Sequence, residues 1–306
     1  MPVQTPVLEQ QISNVSATAF ITLFARARET QSAQPVIDDP QAVAIVAQLL
    51  PVLAQSDRDL CRRLAAGRLE PMVVVTVSQR ARRFDGYVRD FCARNPDAVI
   101  VNLGCGLDTR FFRVDEGRML FFDLDLPAMI ELKRTLVREQ PRYRFIAGSV
   151  LDFAWMDTLV ELGARPIMFL AEGLFMYLAP GEVQRLVVEL ARRFPGSELV
   201  AEVFNNFWLR EPWRTFVNRK MQRRLGFSAD AGFQSGVDNE RHFEAWDPGI
   251  RFLDDWAYYD DEEPKLRGWN WLRHVQFLRR MQWTLHYQLG GASCEGRGAT
   301  PAELEG

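Results

Sequence analysis

The chain has 306 residues, 47% of them hydrophobic and 25% charged, with a net charge of −3. That length buries a full core, as one large or two small domains, and the composition is that of a globular protein rather than a disordered or fibrous one. A near-neutral balance, with arginines scattered among acids, gives no basis for nucleic acid or an anionic membrane as the main partner.

The N-terminal MPVQTPVLEQ lacks the charged and apolar regions of a secretory signal, and no apolar run approaches the about 20 residues that span a bilayer. A cytoplasmic protein is expected. Residues 12–95 read as a helical cap: ATAFITLFARARE is amphipathic, DPQAVAIVAQLL starts on an Asp-Pro helix signal, and RARRFDGYVRDFCARN closes the region. Over 96–203 the pattern changes to alternating strands and helices: AVIVNL, RMLFFDLD, a helix from Pro127 to about Arg138, YRFIAG, RPIMFLAE, the helix PGEVQRLVVELARRF, and SELVAEV. Short apolar runs spaced by helical periods predict an α/β fold, a doubly wound, mostly parallel, Rossmann-like sheet. Residues 204–248 form an aromatic and arginine-rich insertion, a candidate lid on the acceptor pocket. In 249–290, GIRFLDDWAYY and WTLHYQLG add two strands around a helix near 265–281, which makes seven strands with the last an antiparallel partner at the sheet edge. Residues 291–306 read as a loose tail, so the chain is expected to be a single domain. Cys61, Cys92, Cys105 and Cys294 form no C-x-x-C pair, and with His242, His274 and His286 as the three histidines no metal site is expected.

In such sheets ligands bind beyond the carboxyl ends of the strands. Four of those ends carry distinctive residues. VIVNLGCGLDTRFF places Gly104 and Gly106 after the first strand, where a ligand approaches backbone closely. Asp123 and Asp125 end the second, placed for ribose hydroxyls. Gly148-Ser149-Val150 with Asp152 follows the third, and Glu172-Gly173 the fourth. The third glycine of a dinucleotide fingerprint is missing, and Asp108 stands where a pyrophosphate would need amides and positive charge. A ligand carrying sulfonium and ammonium groups meets no such objection, which favours S-adenosyl-L-methionine over NAD.

The strings NLGCGLDTRFFR, FFDLDLP and LAEGLFMYLAPGEV, with VSATAFITLFARARETQSAQPVIDDPQAV and QRARRFD before them, resemble the leucine carboxyl methyltransferase family over residues 12–202. The likeness is to its bacterial branch, which includes small-molecule O-methyltransferases of polyketide pathways of the tetracenomycin type. The resemblance implies that Arg80 grips the carboxylate of S-adenosyl-L-methionine, that Gly104 lies under its methionine portion, that Asp125 binds the ribose with Asp123 nearby, and that Glu172 sits by the ammonium group. Ser149-Val150 departs from the Asp-Leu that many relatives place beside the adenine; the Ser149 hydroxyl or Asp152 stands in its place. Arg26 and Arg28 lie on a helix that covers the site in relatives.

Other readings stay open. Asp108 and Thr109 suit a helix N-cap as well as a place by the ligand, and Asp123 suits a solvated strand end. Tyr177 either touches substrate or packs in the core. His274 and His286 are the imidazoles available as a base, or structural residues. Phe204, Phe207, Trp208, Trp213 and Phe216 wall an acceptor pocket, pack a subdomain or meet a second copy in a homodimer. The expected reaction is methyl transfer to a carboxylate or phenolic oxygen of a small molecule, in secondary metabolism. A protein carboxyl methyltransferase, a nicotinamide-dependent oxidoreductase and a non-catalytic module on the same fold are the alternatives.

Overall fold

Strand-forming apolar runs and helix-starting prolines divide the chain as the alternation demands. The computed structural model describes residues 5–13, 15, 18–215, 217, 219 and 232–291. Its cap comprises α1 (Thr5–Ser13), α2 (Thr18–Thr30), α3 (Pro40–Gln55), α4 (Asp59–Ala65) and α5 (Pro71–Arg94). Proline opens α3 and α5, where its missing N–H costs nothing. The Asp39 side chain caps α3 by accepting from the Ala42 amide at 3.0 Å. On α5, Arg80, Phe84, Val88 and Phe91 recur at helical spacing and are all buried, so one stripe of this helix faces inward.

Five strands follow in the expected order: β1 (Val99–Leu103), β2 (Leu120–Asp125), β3 (Tyr143–Ala147), β4 (Ile167–Ala171) and β5 (Glu198–Phe204). Between them lie α6 (Arg110–Val114), α7 (Pro127–Leu136), α8 (Trp155–Val160) and α9 (Pro180–Arg193). The chain then adds β6 (Arg251–Ala257), a 3₁₀ stretch Pro264–His274, the single turn α10 (Gln276–Arg279) and β7 (Gln282–Gln288). The sheet order is β3-β2-β1-β4-β5-β7-β6, with β7 antiparallel to both of its neighbours and the other adjacent pairs parallel. Seven strands are found as expected, with one correction to their order. The antiparallel strand is not the edge: β7 inserts between β5 and β6, and β6 takes the edge. The helix expected near 265–281 is also largely 3₁₀, interrupted before α10. The described residues contain no helix long and apolar enough to cross a membrane.

Two apolar cores cover the sheet. Ile100, Met168, Leu170 and Val200 face the cap and α7, whereas Val101, Leu103, Phe169, Leu199 and Ala201 face α8 and α9. Each buried aliphatic or aromatic side chain contributes about 1.5–3 kcal/mol. Because strand side chains alternate, Asn102, Asp123, Glu172 and Glu202 share the parity of the cap-facing residues. Polar groups thus interrupt that face at the carboxyl ends of the strands, where the order reverses between β1 and β4. This is the crevice in which ligands of doubly wound sheets bind.

Candidate active site

The turn after β1 is held by its own amides. Gly104 and Cys105 donate to the Leu124 carbonyl at 2.8 and 3.1 Å, Asp108 donates to the Cys105 carbonyl, and Gly106 donates to Asp125 Oδ2 at 2.7 Å. Gly104 has a φ of +65°, a conformation that favours glycine, and a Cβ there would lie 2.9 Å from Leu174 Cδ1 and displace that side chain. The Asp108 carboxylate accepts from the amides of Thr109 and Arg110 at 2.8 and 3.0 Å, which ties it to the start of α6, one residue ahead of the N-cap Thr109.

This geometry changes the ground on which Asp108 chooses a ligand. Its charge is not left facing the cleft: Arg110 Nη1 lies 2.5 Å from Oδ2, and Arg113 and Asn102 also donate to it. Burial opposes its ionisation, but Arg110, Arg113, Arg26 and Lys133 hold its pKa well below the usual carboxylate range. A pyrophosphate is still refused, because the amides it would need at the turn and the helix start are already engaged.

Asp125 lies where expected, at the carboxyl end of β2. The amides of Gly106 and Leu126 orient its two oxygens, each at 2.7 Å. Burial raises its pKa, and the two amides oppose that shift. Beside it Leu126, the N-cap residue of α7, leaves an apolar side chain 58% exposed at the same strand end. The expectation for Asp123 is corrected. It is neither solvated nor open to a ribose: it is 1% exposed, and its carboxylate is taken by Asn102 at 3.1 Å, Tyr143 at 2.5 Å and Lys133 at 2.6 Å. Lys133 also donates to the Asp108 carbonyl. Asp123 therefore anchors α7 beneath the turn.

Arg80 and Glu172 meet as the crevice requires. Arg80 Nε donates to Glu172 Oε1 at 2.8 Å, and its Nη1 donates to both Glu202 oxygens at 2.9 and 2.7 Å. Glu172 Oε2 takes Arg110 Nη2 at 2.5 Å. Burial works against the charge on Glu172, yet Arg80 and Arg110 lower its pKa. At Gly173, with a φ of +67°, a Cβ would lie 3.6 Å from Glu202 Oε2 and 3.9 Å from both terminal nitrogens of Arg80. The absent side chain leaves a small cradle between an arginine and two acids, a donor set that matches the carboxylate and ammonium of an amino-acid moiety.

Around this core runs a network that sequence reading did not single out. Arg26 pairs with Asp39, Arg113 with Asp39 and Asp85, and Arg110 with Asp85, Asp108 and Glu172. Glu202 also accepts from the Tyr258 hydroxyl and, at 2.7 Å, from Gln282. A carboxylate amid the apolar run of SELVAEVF was the available signal for Glu202, since a buried acid demands partners.

The remaining candidates divide. Ser149 Oγ accepts from the Leu151 amide at 3.2 Å and stays partly exposed beyond β3, beside Gly148, where a Cβ would meet nothing. Val150 is corrected as a side-chain contact: it is buried in the α8–α9 core, and its carbonyl accepts from Trp155. Asp152 is exposed, with Oδ1 accepting from the Ala154 amide. Arg26 buttresses the turn through the Leu107 carbonyl, whereas Arg28 is drawn off to the carbonyls of Gly67 and Leu69. Tyr177 packs edge-on to Phe233 near Arg80 and Glu202, and burial, with Glu202, raises its pKa. His286 is corrected as a base: it pairs with Val200, four residues below the end of β5, and its Nε2 meets Glu198 Oε2 at 2.8 Å. His274 is exposed at the end of the 3₁₀ stretch. Phe204, Trp208 and Phe233 form a third small core with Met176 beyond the sheet. Phe207 and Trp213 lie half-exposed at its rim, and Phe216 lies outside the described residues.

Residues 19–191 match the leucine carboxyl methyltransferase family. The chain is 31% identical over 251 residues to the tetracenomycin polyketide synthesis O-methyltransferase TcmP of Streptomyces glaucescens, covering 82% of this chain and 85% of that protein. It is 28% identical over 302 residues to the S-adenosyl-L-methionine-dependent methyltransferase dpfgK of Gibberella zeae, covering 94% and 95%. A DUF574 family protein from Streptomyces avermitilis shares the fold, with a TM-score of 0.52 at 13% identity over 79% of this chain and 95% of that one. By sequence, the chain belongs to the leucine carboxyl methyltransferase family of S-adenosyl-L-methionine-dependent methyltransferases.

Proposed function

We propose that the protein transfers a methyl group from S-adenosyl-L-methionine to a carboxylate or phenolic oxygen of a small-molecule acceptor in a biosynthetic pathway. Arg80 and Glu172 would hold the carboxylate and ammonium of the donor, Asp125 its ribose, and Leu126 and Ser149 its adenine. The bound donor supplies a methyl made electrophilic by the adjoining positive sulfur. What this chain contributes is alignment, which alone supplies much of a displacement's rate.

The observation that carries the choice of acceptor is the state of the groups available as a base. The Tyr177 phenol is pushed above its ordinary pKa by burial and keeps its proton at neutral pH. His286 is committed to Glu198 lower in the sheet. An acceptor that ionises by itself needs neither. The likeness to an O-methyltransferase of polyketide synthesis supports a small acidic oxygen acceptor over a peptide terminus.

The test is methyl transfer from labelled donor to small aromatic acids, phenols, alcohols and peptides with a free C-terminal leucine, with the modified atom located by mass spectrometry. Turnover of acids or phenols is expected. Preferential methylation of alcohols, nitrogen or the peptide terminus would replace this reading.

A further inference from the structure

The buried network that runs from the cap to the closing strands is unbalanced. Among the described residues its members are the guanidiniums of Arg26, Arg80, Arg110 and Arg113 against the carboxylates of Asp39, Asp85, Asp108, Glu172 and Glu202. The nearby Lys133–Asp123 pair is neutral, and Asp125 adds a further acid at the strand end. Glu202 is 1% exposed, and its neighbours, Arg80, Tyr258 and Gln282, all present hydrogen-bond donors to it. Three donor groups thus converge on its two oxygens. Without Glu202 the four arginines would meet four acids.

We propose that Glu202 is a specificity-determining residue whose charge makes the donor site prefer a cationic ligand over a neutral one, and so favours the methyl donor over its demethylated product. This rests on the donor reading given above. With its sulfonium, ammonium and carboxylate the donor is a net monocation. Loss of the methyl to an oxyanion turns the sulfonium into a thioether, and the product is net neutral. Glu202 borders the Gly173 cradle, 3.6 Å from where a Cβ would stand, so its charge acts on that difference through a low-dielectric interior. Tyr258 follows β6 and Gln282 begins β7, so the closing strands hold this charge in place.

The experiment measures affinity for S-adenosyl-L-methionine and S-adenosyl-L-homocysteine by calorimetry on the full chain, wild type against Glu202→Gln and Glu202→Asp. Glu202→Gln is expected to lower the donor-over-product affinity ratio by roughly tenfold, the scale of one charge acting across several ångströms of protein. Glu202→Asp keeps the charge and is expected to keep the ratio, even if both affinities fall. A merely structural role would weaken both ligands equally in Glu202→Gln, and an unchanged ratio overturns the proposal. If Glu202→Gln does not fold, Asp85→Asn removes a charge from the far side of the same network. It should shift the ratio in the same direction by a smaller factor, and no shift there is equally fatal. A wild-type protein that binds neither ligand would instead defeat the donor reading itself.

Discussion

At the scale of the residue, two aspartates one side chain apart on the same face of β2 have opposite jobs. Asp125 ends the strand with its oxygens steered by two backbone amides, whereas Asp123 is buried against Lys133, Tyr143 and Asn102. Asp125→Ala should therefore weaken donor affinity by tenfold or more, on the order of 1.5–3 kcal/mol for a charged hydrogen-bonding partner, with little change in melting temperature. Asp123→Ala should do the reverse at the level of stability. It leaves the Lys133 ammonium buried without its ion-pair partner, at a cost of about 3–5 kcal/mol, which denaturant titration would register. Similar losses of stability in the two variants would remove this distinction. Sequence spacing located both acids but not their division, because what separates them is a lysine arriving from α7. The same holds for Asp108. Its place in the turn was legible, whereas its arginine partners were not, so the case against pyrophosphate now rests on occupied amides rather than on a bare charge.

At the scale of the element, the alternation of short apolar runs with helical periods made β1 to β5 legible, because β1, β4 and β5 are buried along their whole length and read as largely apolar, while edge strand β3 buries one face only. The position of β7 was not legible, since strand order depends on which edges pair and not on local pattern. That placement decides the fate of His286. Inserted beside β5, β7 sets the ring against Glu198, which Arg94 also grips at 2.9 and 3.1 Å, while Tyr87 packs edge-on at 5.1 Å. His286→Gln is expected to keep the rate of methyl transfer within about twofold and to cost about 1–3 kcal/mol of stability, the price of disturbing a buried hydrogen bond to a charged group. A fall in kcat of tenfold or more, with a pH profile that loses its acidic limb, would return His286 to the chemistry. The cap helices show the complementary lesson. Their apolar stripes were readable, whereas the partners that bury Arg80 within α5, Glu172 after β4 and Glu202 on β5, lie 92 and 122 residues away, beyond any local pattern.

At the scale of the whole molecule, the chain is stitched by carboxylates that must stay ionised. In Asp39, Asp108, Glu172 and Glu198 burial pushes toward the neutral acid, but arginine neighbours, with His286 in the case of Glu198, outweigh it and lower each pKa, that of Glu198 to about 2. A folded-state pKa below the unfolded value means that the unfolded chain binds more protons in acid. The stability these groups give is thus fully present above their ordinary values, 3.8 for Asp and 4.5 for Glu, and is lost as pH falls toward their folded values. Asp123 and Asp125 have raised values and act in the opposite direction, because the folded state takes up protons there first. They oppose the four lowered acids only in part. The denaturation midpoint should therefore be nearly flat from neutral pH to about pH 5 and then drop, losing on the order of 3 kcal/mol by about pH 3. In Asp108→Asn the molecule starts less stable at neutral pH, because Arg110 and Arg113 lose a counter-charge, and its decline below about pH 5 becomes shallower, because one titrating group is gone. Equal slopes in the two proteins, read from urea midpoints across this range, would show that Asp108 is not ionised at the expense of protons in the folded state, and the network would lose its claim to govern acid stability.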